Sequence, residues 1–331
     1  MSFSVGILGT GRAVPDQVLT NADLEKRVDT TDEWITSRTG IRERRIAPND
    51  MAASDLGALA GRRALESANL SAEDIDLIIV ATITGDMPFP ATACIIQDKI
   101  GAKNAAAFDL SAGCSGFVYA LDVAKNMVLG GSKRVLVIGV DLLSRVTDYS
   151  DRATCVLFGD GAGAAIVGAV ADGYGIIATD IGADGAGAEF LKLPAGGSRR
   201  PVTDRTIENR EHYLCMAGNE VFKFAVRIMG DSTHRVLAKA RLTSEDIRWF
   251  IPHQANIRII KSAATRLGIS DDRLFINVER YGNTSAASIP LALDEIVESR
   301  TLNDGDYLLV VGFGAGLTWG SAIIRWGGII G

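Results

Sequence analysis

The chain has 331 residues, of which 47% are hydrophobic and 22% charged, a balance typical of packed globular proteins and unlike that of disordered chains. Its formal net charge of -6 argues against general binding to nucleic acid, which needs a basic face. No apolar run is long enough to span a bilayer, and the first residues lack the basic and apolar regions of a signal peptide, so we expect a cytoplasmic protein that does not bind membranes.

The first half of the chain alternates short apolar segments with amphipathic ones. In chain order, we predict strands at 5–9 and 77–81, a helix at 91–100, a strand that ends at Leu110, a helix at 117–129 and a strand at 134–139. Apolar strands between amphipathic helices predict an α/β protein with mostly parallel sheets covered by helices.

The second half of the chain repeats this order. Residues 64–75 resemble residues 236–247, with Glu-Asp at the same place and a strand after each. Residues 117–122 and 289–294 both end in Ala-Leu-Asp. Coincidence between two generic helix–strand units is the alternative, but the matches keep both order and spacing. We therefore predict two pseudo-equivalent halves, 1–170 and 215–331, joined by a surface excursion at 171–214 that is rich in Gly, Asp and Arg.

Four cysteines are present, and one of them is a candidate nucleophile. None lies in a CxxC pair or at zinc spacing from a histidine, so we predict reduced thiols and no metal site. Cys114 lies in Ser-Ala-Gly-Cys-Ser-Gly, between a strand and a helix. A helix N-terminus favours a thiolate, with a pKa of roughly 3.5–7.5, and its free N–H groups can hold an oxyanion. A buried structural cysteine is the alternative, which we favour for Cys94 and Cys155.

Two further residues are predicted to lie beside Cys114. Among three histidines, His253 ends a strand at 249–252, where residues of α/β folds border the ligand crevice, whereas His212 and His234 lie in polar stretches. Asn283 opens a helix in the second half, at the place that Cys114 holds in the first. An N-cap role for Asn283 is the alternative. A pseudo-twofold axis would bring Cys114, His253 and Asn283 together.

Several long motifs resemble those of the β-ketoacyl-acyl-carrier-protein synthase III family of thiolase-fold condensing enzymes. They are TNADLEKRVDTTDEWITSRTGIRERRIA, SAGCSGFVYALD, FGDGAGAA, MAGNEVFK, IPHQAN, YGNTSAASIPLALDE and FGAGLTWGSA, which together extend over nearly the whole chain. The resemblance implies a thiolase-like fold, with two pseudo-duplicated halves in a layered α-β-α-β-α arrangement. It also implies an acyltransferase that starts fatty acid synthesis by joining a short acyl-CoA to malonyl-acyl carrier protein.

The resemblance assigns a role to each matching residue. Cys114 would carry the acyl group, while His253 and Asn283 would promote decarboxylation of the malonyl thioester. The backbone N–H groups of Cys114 and Ala315 would form the oxyanion hole. Contacts with CoA are implied for Thr30, Trp34, Arg38, Arg152, Met216, Gly218, Phe222, Asn256 and Phe313. Docking of the acidic carrier protein is implied for Lys223, Gln254, Arg258 and Lys261. No metal or other cofactor is implied.

The resemblance also implies a homodimer, in which Phe89 of one copy caps the acyl pocket of the other. Two departures from the family pattern leave the length of the primer acyl chain open. Ala315 stands where many relatives have Gly, and Asp86 and Met87 lie in the loop that carries Phe89.

Other functions remain as alternatives to fatty acid initiation. A degradative thiolase would need a second cysteine in the loop around Ala315, and an elongating synthase would need a histidine where Asn283 stands. A related synthase of quinolone or polyketide metabolism would keep the same three residues. A cysteine-dependent thioester hydrolase or a non-catalytic carrier-binding scaffold are the more distant alternatives.

Overall fold

The computed structural model describes residues 3–330. Its strands are β1 (Ser4–Ala13), β2 (Val18–Thr20), β3 (Glu43–Arg45), β4 (Leu77–Ala81), β5 (Ala106–Leu110), β6 (Arg134–Leu142), β7 (Asp160–Val170), β8 (Gly175–Ala183), β9 (Leu191–Lys192), β10 (Cys215–Met216), β11 (Ile247–Pro252), β12 (Tyr307–Gly314) and β13 (Thr318–Arg325). Its helices are α1 (Asn21–Glu25), α2 (Asp32–Thr39), α3 (Ala53–Ser67), α4 (Thr92–Ile100), α5 (Gly116–Leu129), α6 (Arg152–Cys155), α7 (Asp204–Glu208), α8 (Gly218–Ala240), α9 (Ile257–Leu267), α10 (Val278–Tyr281) and α11 (Ser288–Glu298). The predicted strands and helices of the first half are observed, with small differences at their ends.

Two larger sheets organise the chain, with strand orders β1-β7-β6-β4-β5 and β11-β12-β13-β8. Strand β4 is parallel to β5 and β6, and β11 is parallel to β12, but the remaining pairs are antiparallel. The prediction of mostly parallel sheets is therefore wrong. Residues 315–317 connect β12 to β13, and so short a connection allows a hairpin but no crossover.

The two sheets lie between three layers of helices. Helices α5 and α11 pack between the sheets, where Phe117 and Leu293 share one core with Ile79 of the first sheet and Val310 of the second. Helices α3 and α4 cover the outer face of the first sheet, and α8 and α9 cover the outer face of the second. The observed order is the predicted α-β-α-β-α. It brings the N-terminal ends of α5 and α11 into the middle of the molecule.

The internal repeat is visible in the turns that precede β4 and β11. Ser71 donates its backbone N–H and its hydroxyl to Asp74, and Thr243 donates the same two groups to Asp246. Both turns therefore close in the same way before a buried strand begins. Among the helices of residues 3–330, none combines the length and apolarity that crossing a membrane requires.

Residues 171–214 differ from the predicted surface excursion. Strand β8 lies within them and pairs with β13, and its Ile176 and Ala178 are buried. The strand was not predicted because its short apolar segment lies among many Gly and Asp residues. It completes the second sheet. The segment is therefore part of the fold, while the division of the chain at residues 170 and 215 stays a prediction.

Candidate active site

Cys114 lies in the connection between strand β5 and helix α5, which belongs to the central helix layer. A single 3-10 turn, Gly113–Ser115, runs directly into α5, so the sulfur stands at the helix N-terminus as predicted. The residue is 8% exposed, and Gly113 and Ser115 flank it in the chain. Such a position lets a substrate carbonyl approach both the sulfur and the first N–H groups of the helix.

The turn around Cys114 fits tightly against the loop that carries Ala315. A Cβ atom on Gly314 would lie 2.4 Å from the backbone nitrogen of Cys114, and a Cβ on Gly113 would lie 2.9 Å from the backbone nitrogen of Ala315. Gly113 also has a φ of +54°, which favours glycine. The two glycines therefore allow the N–H groups of Cys114 and Ala315 to lie side by side, as an oxyanion hole requires. The methyl group of Ala315 lies 3.5 Å from the place that a Cβ on Gly113 would take, which is an ordinary van der Waals contact.

His253 follows β11 directly and is fully buried. Its Nδ1 lies 2.6 Å from the Ser288 hydroxyl at the start of α11, while its Nε2 has no protein partner. The ring meets the edge of Phe313, with centroids 5.5 Å apart. Burial lowers the pKa of His253 from 6.5 to about 3, so the imidazole is neutral at neutral pH.

Asn283 precedes the 3-10 turn Ser285–Ala287, which leads into α11. Its Oδ1 accepts a hydrogen bond of 2.9 Å from the Ser285 N–H, so its Nδ2 is the amide group left for a ligand. The carboxamide is therefore not an N-cap of α11 itself. It is held by the turn and presents a donor.

Two cavities meet at Cys114. The first, of about 100 Å³, is lined by Cys114, His253 and Asn283 together with the predicted CoA contacts Met216, Gly218, Phe222, Asn256 and Phe313. The second, of about 170 Å³, is bordered by Cys114 and Ala315 and by apolar side chains that include Ile83, Leu143, Phe158 and Leu214. The structure thus brings the three residues of the predicted triad into one pocket, although they are far apart in sequence.

The electrostatics of Cys114 differ from the prediction. Burial raises the pKa of its thiol from 9.0 to about 12; the Ser285 hydroxyl lowers it, and the nearby Asp141 carboxylate raises it further. The direction of this pKa shift is opposite to the lowered thiol pKa that we predicted from the helix N-terminus. A thiol that is protonated in the free protein must lose its proton as it attacks a thioester.

This thiol pKa predicts how Cys114 reacts with iodoacetamide. Below its pKa, the thiolate fraction rises about tenfold per pH unit, so alkylation of the Cys114 peptide should still accelerate between about pH 8 and pH 10. Mass spectrometry of that peptide distinguishes it from the exposed Cys94 and Cys215. A plateau reached below about pH 8 would instead show a thiolate stabilised by the helix.

Three residues that sequence reasoning did not single out support the site. Ser288 orients His253, and Ser285, with a φ of +50°, lies beside both Cys114 and Asp141.

The buried Asp141 accepts hydrogen bonds from the N–H groups of Ile83 and Thr84 and the hydroxyls of Thr82 and Thr84. It also accepts a bond from the N–H of Ala286. Asp141 therefore ties the loop beside the second cavity to the turn after Asn283. The serines were visible in the small-residue run at 284–288, but Asp141 gave no local signal.

The residues predicted to hold the nucleotide are exposed or half-buried, and one of them contacts a residue that borders the first cavity. The guanidinium of Arg152 lies 4.8 Å from the centre of the Trp34 ring and donates to the carbonyl of Asp29. Arg38 is exposed, and its carbonyl accepts a hydrogen bond of 3.1 Å from the Asn256 side chain. Thr30 is half-buried and its hydroxyl has no partner. Asn256 therefore connects the surface group to the cavity.

The predicted docking residues divide into two kinds. Lys223, Arg258 and Lys261 are exposed, and the Arg258 guanidinium lies over the ring of Phe222, at 5.4 Å from its centre. Gln254 is only 1% exposed, and its amide bonds to backbone groups of Pro252, Phe275, Asn277 and Val278. Its predicted role in docking is corrected: Gln254 holds the turn behind His253.

The loop that carries Phe89 is anchored at one end. Asp86 accepts hydrogen bonds from the N–H and the hydroxyl of Ser54, at 2.8 and 2.6 Å, at the start of α3. Phe89 itself is 83% exposed and does not border either of the two cavities at Cys114. Cys94 was predicted to be in the core but is exposed, and its sulfur lies 3.8 Å from the Ala107 carbonyl of the edge strand β5. Cys155 is buried as predicted.

Comparisons with known proteins identify the family of this chain. Residues 108–185 match the family model of 3-oxoacyl-[acyl-carrier-protein] synthase III, and residues 237–326 match the model of its C-terminal part. The β-ketoacyl-[acyl-carrier-protein] synthase III of Caldanaerobacter subterraneus subsp. tengcongensis is 57% identical over 98% of each chain. A crystal structure of this synthase from Thermus thermophilus superposes with a TM-score of 0.91 at 49% identity, covering 98% of this chain and 100% of the other.

A third relative bears on the alternatives. The priming β-ketosynthase of the R1128 polyketide pathway superposes with a TM-score of 0.89 at 39% identity, covering 97% of this chain and 96% of the other. Within residues 3–330, no three His, Cys, Asp or Glu side chains are grouped to hold a metal ion. The predicted thiolase-like fold and the predicted acyltransferase class are confirmed by these relatives. The chain therefore belongs to the 3-oxoacyl-[acyl-carrier-protein] synthase III family.

Proposed function

We propose that this protein condenses a short acyl-CoA primer with malonyl-acyl carrier protein and so starts fatty acid synthesis. The observation that carries the proposal is the shared cavity of Cys114, His253 and Asn283, in which one sulfur faces two neutral donors. One pocket thereby combines a nucleophile that can attack a thioester with donors that can stabilise an enolate oxygen. The reaction takes both acyl groups as thioesters and uses no metal ion.

The first half-reaction transfers the primer to Cys114. The sulfur adds to the thioester carbonyl, and the resulting oxyanion accepts hydrogen bonds from the N–H groups of Cys114 and Ala315. Collapse of this intermediate breaks the old C–S bond and forms acyl-Cys114, and CoA leaves with the proton that the thiol gave up.

The second half-reaction needs donors for the malonyl carbonyl oxygen. The Ser288 hydroxyl accepts from the N–H of Gln254 at 3.3 Å, which leaves its own proton for Nδ1 of His253. In that tautomer Nε2 carries the hydrogen and donates into the cavity, beside Nδ2 of Asn283. Loss of CO2 leaves an enolate whose oxygen both donors stabilise. Its carbon attacks acyl-Cys114, the C–S bond breaks, and Cys114 leaves as a thiolate that regains a proton from water.

The surface group beside the cavity supports CoA as the primer carrier. Trp34 and Arg152 offer an aromatic face and a guanidinium to an adenine ring, and Arg38 offers a cation to phosphate. The apolar side chains around the second cavity support a short acyl group as its occupant.

Replacing Trp34 by alanine is expected to raise the KM for acyl-CoA roughly tenfold, because stacking on a base contributes about 1–3 kcal/mol. The kcat for acylation should stay close to wild type, since this contact is the same in the ground and transition states. The control substrate is the matching acyl-pantetheine, which has no adenine and should be used equally well by both proteins. An equal loss with both substrates would contradict the assignment.

The carrier protein is expected to meet the basic residues at the mouth of the first cavity. Arg258 lies over Phe222, which borders the cavity, and Lys223 and Lys261 are exposed nearby on α8 and α9. Such positive charge would steer an acidic partner despite the net charge of -6.

A second copy of the chain is expected at the edge of the first sheet. Strand β5 is the last in its sheet order, and its Phe108 is 37% exposed. Phe89 and Ile83 add apolar surface on the same side of the chain, beside the loop that Asp86 anchors. Unpaired strand edges with apolar neighbours favour pairing with another chain. The homodimer and the cytoplasmic location stay predictions.

The test of the proposed function is product analysis with acetyl-CoA, with and without malonyl-acyl carrier protein. We expect an acetyl adduct on Cys114 with acetyl-CoA alone, and 3-oxobutanoyl carrier protein and CO2 when the malonyl carrier is added. Release of acetate without the malonyl carrier would indicate a thioester hydrolase. A chain that forms no adduct would fit a carrier-binding scaffold.

A second candidate function is priming of polyketide synthesis. The likeness to the R1128 priming β-ketosynthase favours it, because a relative at 39% identity keeps the same fold. A panel of primers from acetyl- to octanoyl-CoA, including branched chains, separates the two. Preference for acetyl-CoA or short branched primers, with the fatty acid carrier protein as extender, supports fatty acid initiation.

A further inference from the structure

Arg44, on β3, is a cation with no exposed surface. Burial lowers its pKa to about 10, which means that the protein holds the charge against a desolvation cost. Its guanidinium donates to neutral acceptors, the Oδ1 of Asn21 at 2.6 Å and the carbonyl of Val156 at 2.5 Å. For stability alone, an apolar side chain of similar volume often serves as well as a buried charge. A buried Arg therefore suggests a need for its shape and its two directed bonds.

The side chain of Arg44 underlies the backbone segments that hold Asn283. A Cβ atom on Gly159 would lie 3.2 Å from the Cβ of Arg44, and one on Gly282 would lie 3.1 Å from its Cγ. Between these glycines Asn283 donates its N–H to the carbonyl of Leu157 at 2.8 Å and accepts from the N–H of Gly159 at 3.0 Å. Gly282, with a φ of +64°, makes the turn that glycine favours.

The other end of Arg44 is fixed by a polar network. The Asn21 side chain, which receives one guanidinium bond, donates to the carbonyl of Ile41 at 2.9 Å and to Asp32 of α2 at 2.7 Å. Neither Arg44 nor Asn21 borders the two cavities at Cys114. Arg44 therefore acts on the site through other residues.

We propose that Arg44 is the positioning residue for Asn283: its guanidinium fixes the segment of Val156 and Leu157, and through it the carboxamide that faces the malonyl thioester. This inference rests on the role given to Asn283 in the proposed function. Cys114 is held by different contacts, with Gly314 and Ala315. Loss of the guanidinium should therefore separate the two half-reactions.

The experiment compares Arg44→Met with wild type in the full-length protein. Met keeps an unbranched stem under the two glycines and removes both directed bonds. Decarboxylation of malonyl carrier protein, measured as CO2 release, should fall roughly 10²-fold, because misplacement of a catalytic group by about 1 Å has such an effect. Acylation of Cys114 by acetyl-CoA, measured by intact mass, should stay within about threefold of wild type, since its donors are untouched. Arg44→Lys, which keeps the stem and the charge, should retain more decarboxylation than Arg44→Met.

Controls separate this inference from the function on which it rests. Arg45→Met, on the same strand, removes a half-buried Arg that pairs with Glu43 and should leave both half-reactions unchanged. Should Arg44→Met fail to fold, Asn21→Ala removes one acceptor of the guanidinium and is expected to lower decarboxylation selectively. Folded variants that lose both half-reactions in parallel, or neither, would overturn the role of Arg44. If Asn283→Ala itself still decarboxylates, the proposed function fails instead.

Discussion

Replacing Cys114 by alanine should abolish transfer of the primer from acyl-CoA, with a fall in rate of at least about 10⁴-fold. The physical reason is that the pocket offers one sulfur at the oxyanion hole, and His253 and Asn283 are donors that cannot carry an acyl group. The measurement is intact mass after incubation with acetyl-CoA, combined with the rate of CoA release. Wild type should gain one acetyl group and the variant none.

A matched control uses another thiol of the same chain. Cys94 is exposed on α4 and does not border either cavity at Cys114, so Cys94→Ala should form the adduct at the wild-type rate. An adduct that persists in Cys114→Ala and disappears in Cys94→Ala would disprove the assignment of the nucleophile.

Replacing Asn283 by alanine should lower decarboxylation of malonyl carrier protein by about 10²–10³-fold, the effect of removing one donor from an oxyanion site. His253→Ala should have an effect of the same order, because each variant removes one of the two hydrogen bonds to the enolate oxygen. Formation of acyl-Cys114 should persist in both, since the N–H groups of Cys114 and Ala315 remain. Rapid-mixing assays of CO2 release and of acyl-enzyme formation measure the two steps separately.

The pH dependence gives an independent check on His253. A lowered pKa of about 3 means that the imidazole gains a proton only in strong acid and is neutral at every higher pH. Decarboxylation should therefore show no inflection near the ordinary value of 6.5 between about pH 5 and pH 8. His234→Ala, which changes an exposed histidine of α8, is the control. A clear loss of activity below about pH 6.5 that vanishes in His253→Ala would mean that the imidazole titrates there.

The sequence was most informative where local pattern decides structure. The small residues around Cys114 predicted a turn into a helix, and the repeat predicted that Asn283 would stand at the equivalent helix end. Both positions are observed, and both halves keep the same Asp-closed turn before a strand. These features depend on residues that are close in the chain, which is why they were accessible without coordinates.

Burial was less accessible from the sequence, and the corrected predictions depend on it. The motif that contains His253 also contains Gln254. The amino-acid sequence does not show that the His253 side chain faces the cavity whereas the Gln254 side chain faces a turn. The same holds for the thiol of Cys114, since the helix N-terminus is a local feature but the apolar enclosure comes from both halves. Asp141 and Arg44 show the limit most clearly, because every group that they hold lies elsewhere in the sequence.

Cys114 borders both cavities, and this placement has a kinetic consequence. In the proposed reaction, the acyl chain would lie on the side of Ile83 and Leu214 after the first transfer, and the cavity beside Asn256 would be free for the next thioester arm. Because both thioester arms would use this cavity in the proposed reaction, released CoA would compete with the incoming carrier protein. The rate of condensation should then fall as the ratio of free CoA to acyl-CoA rises.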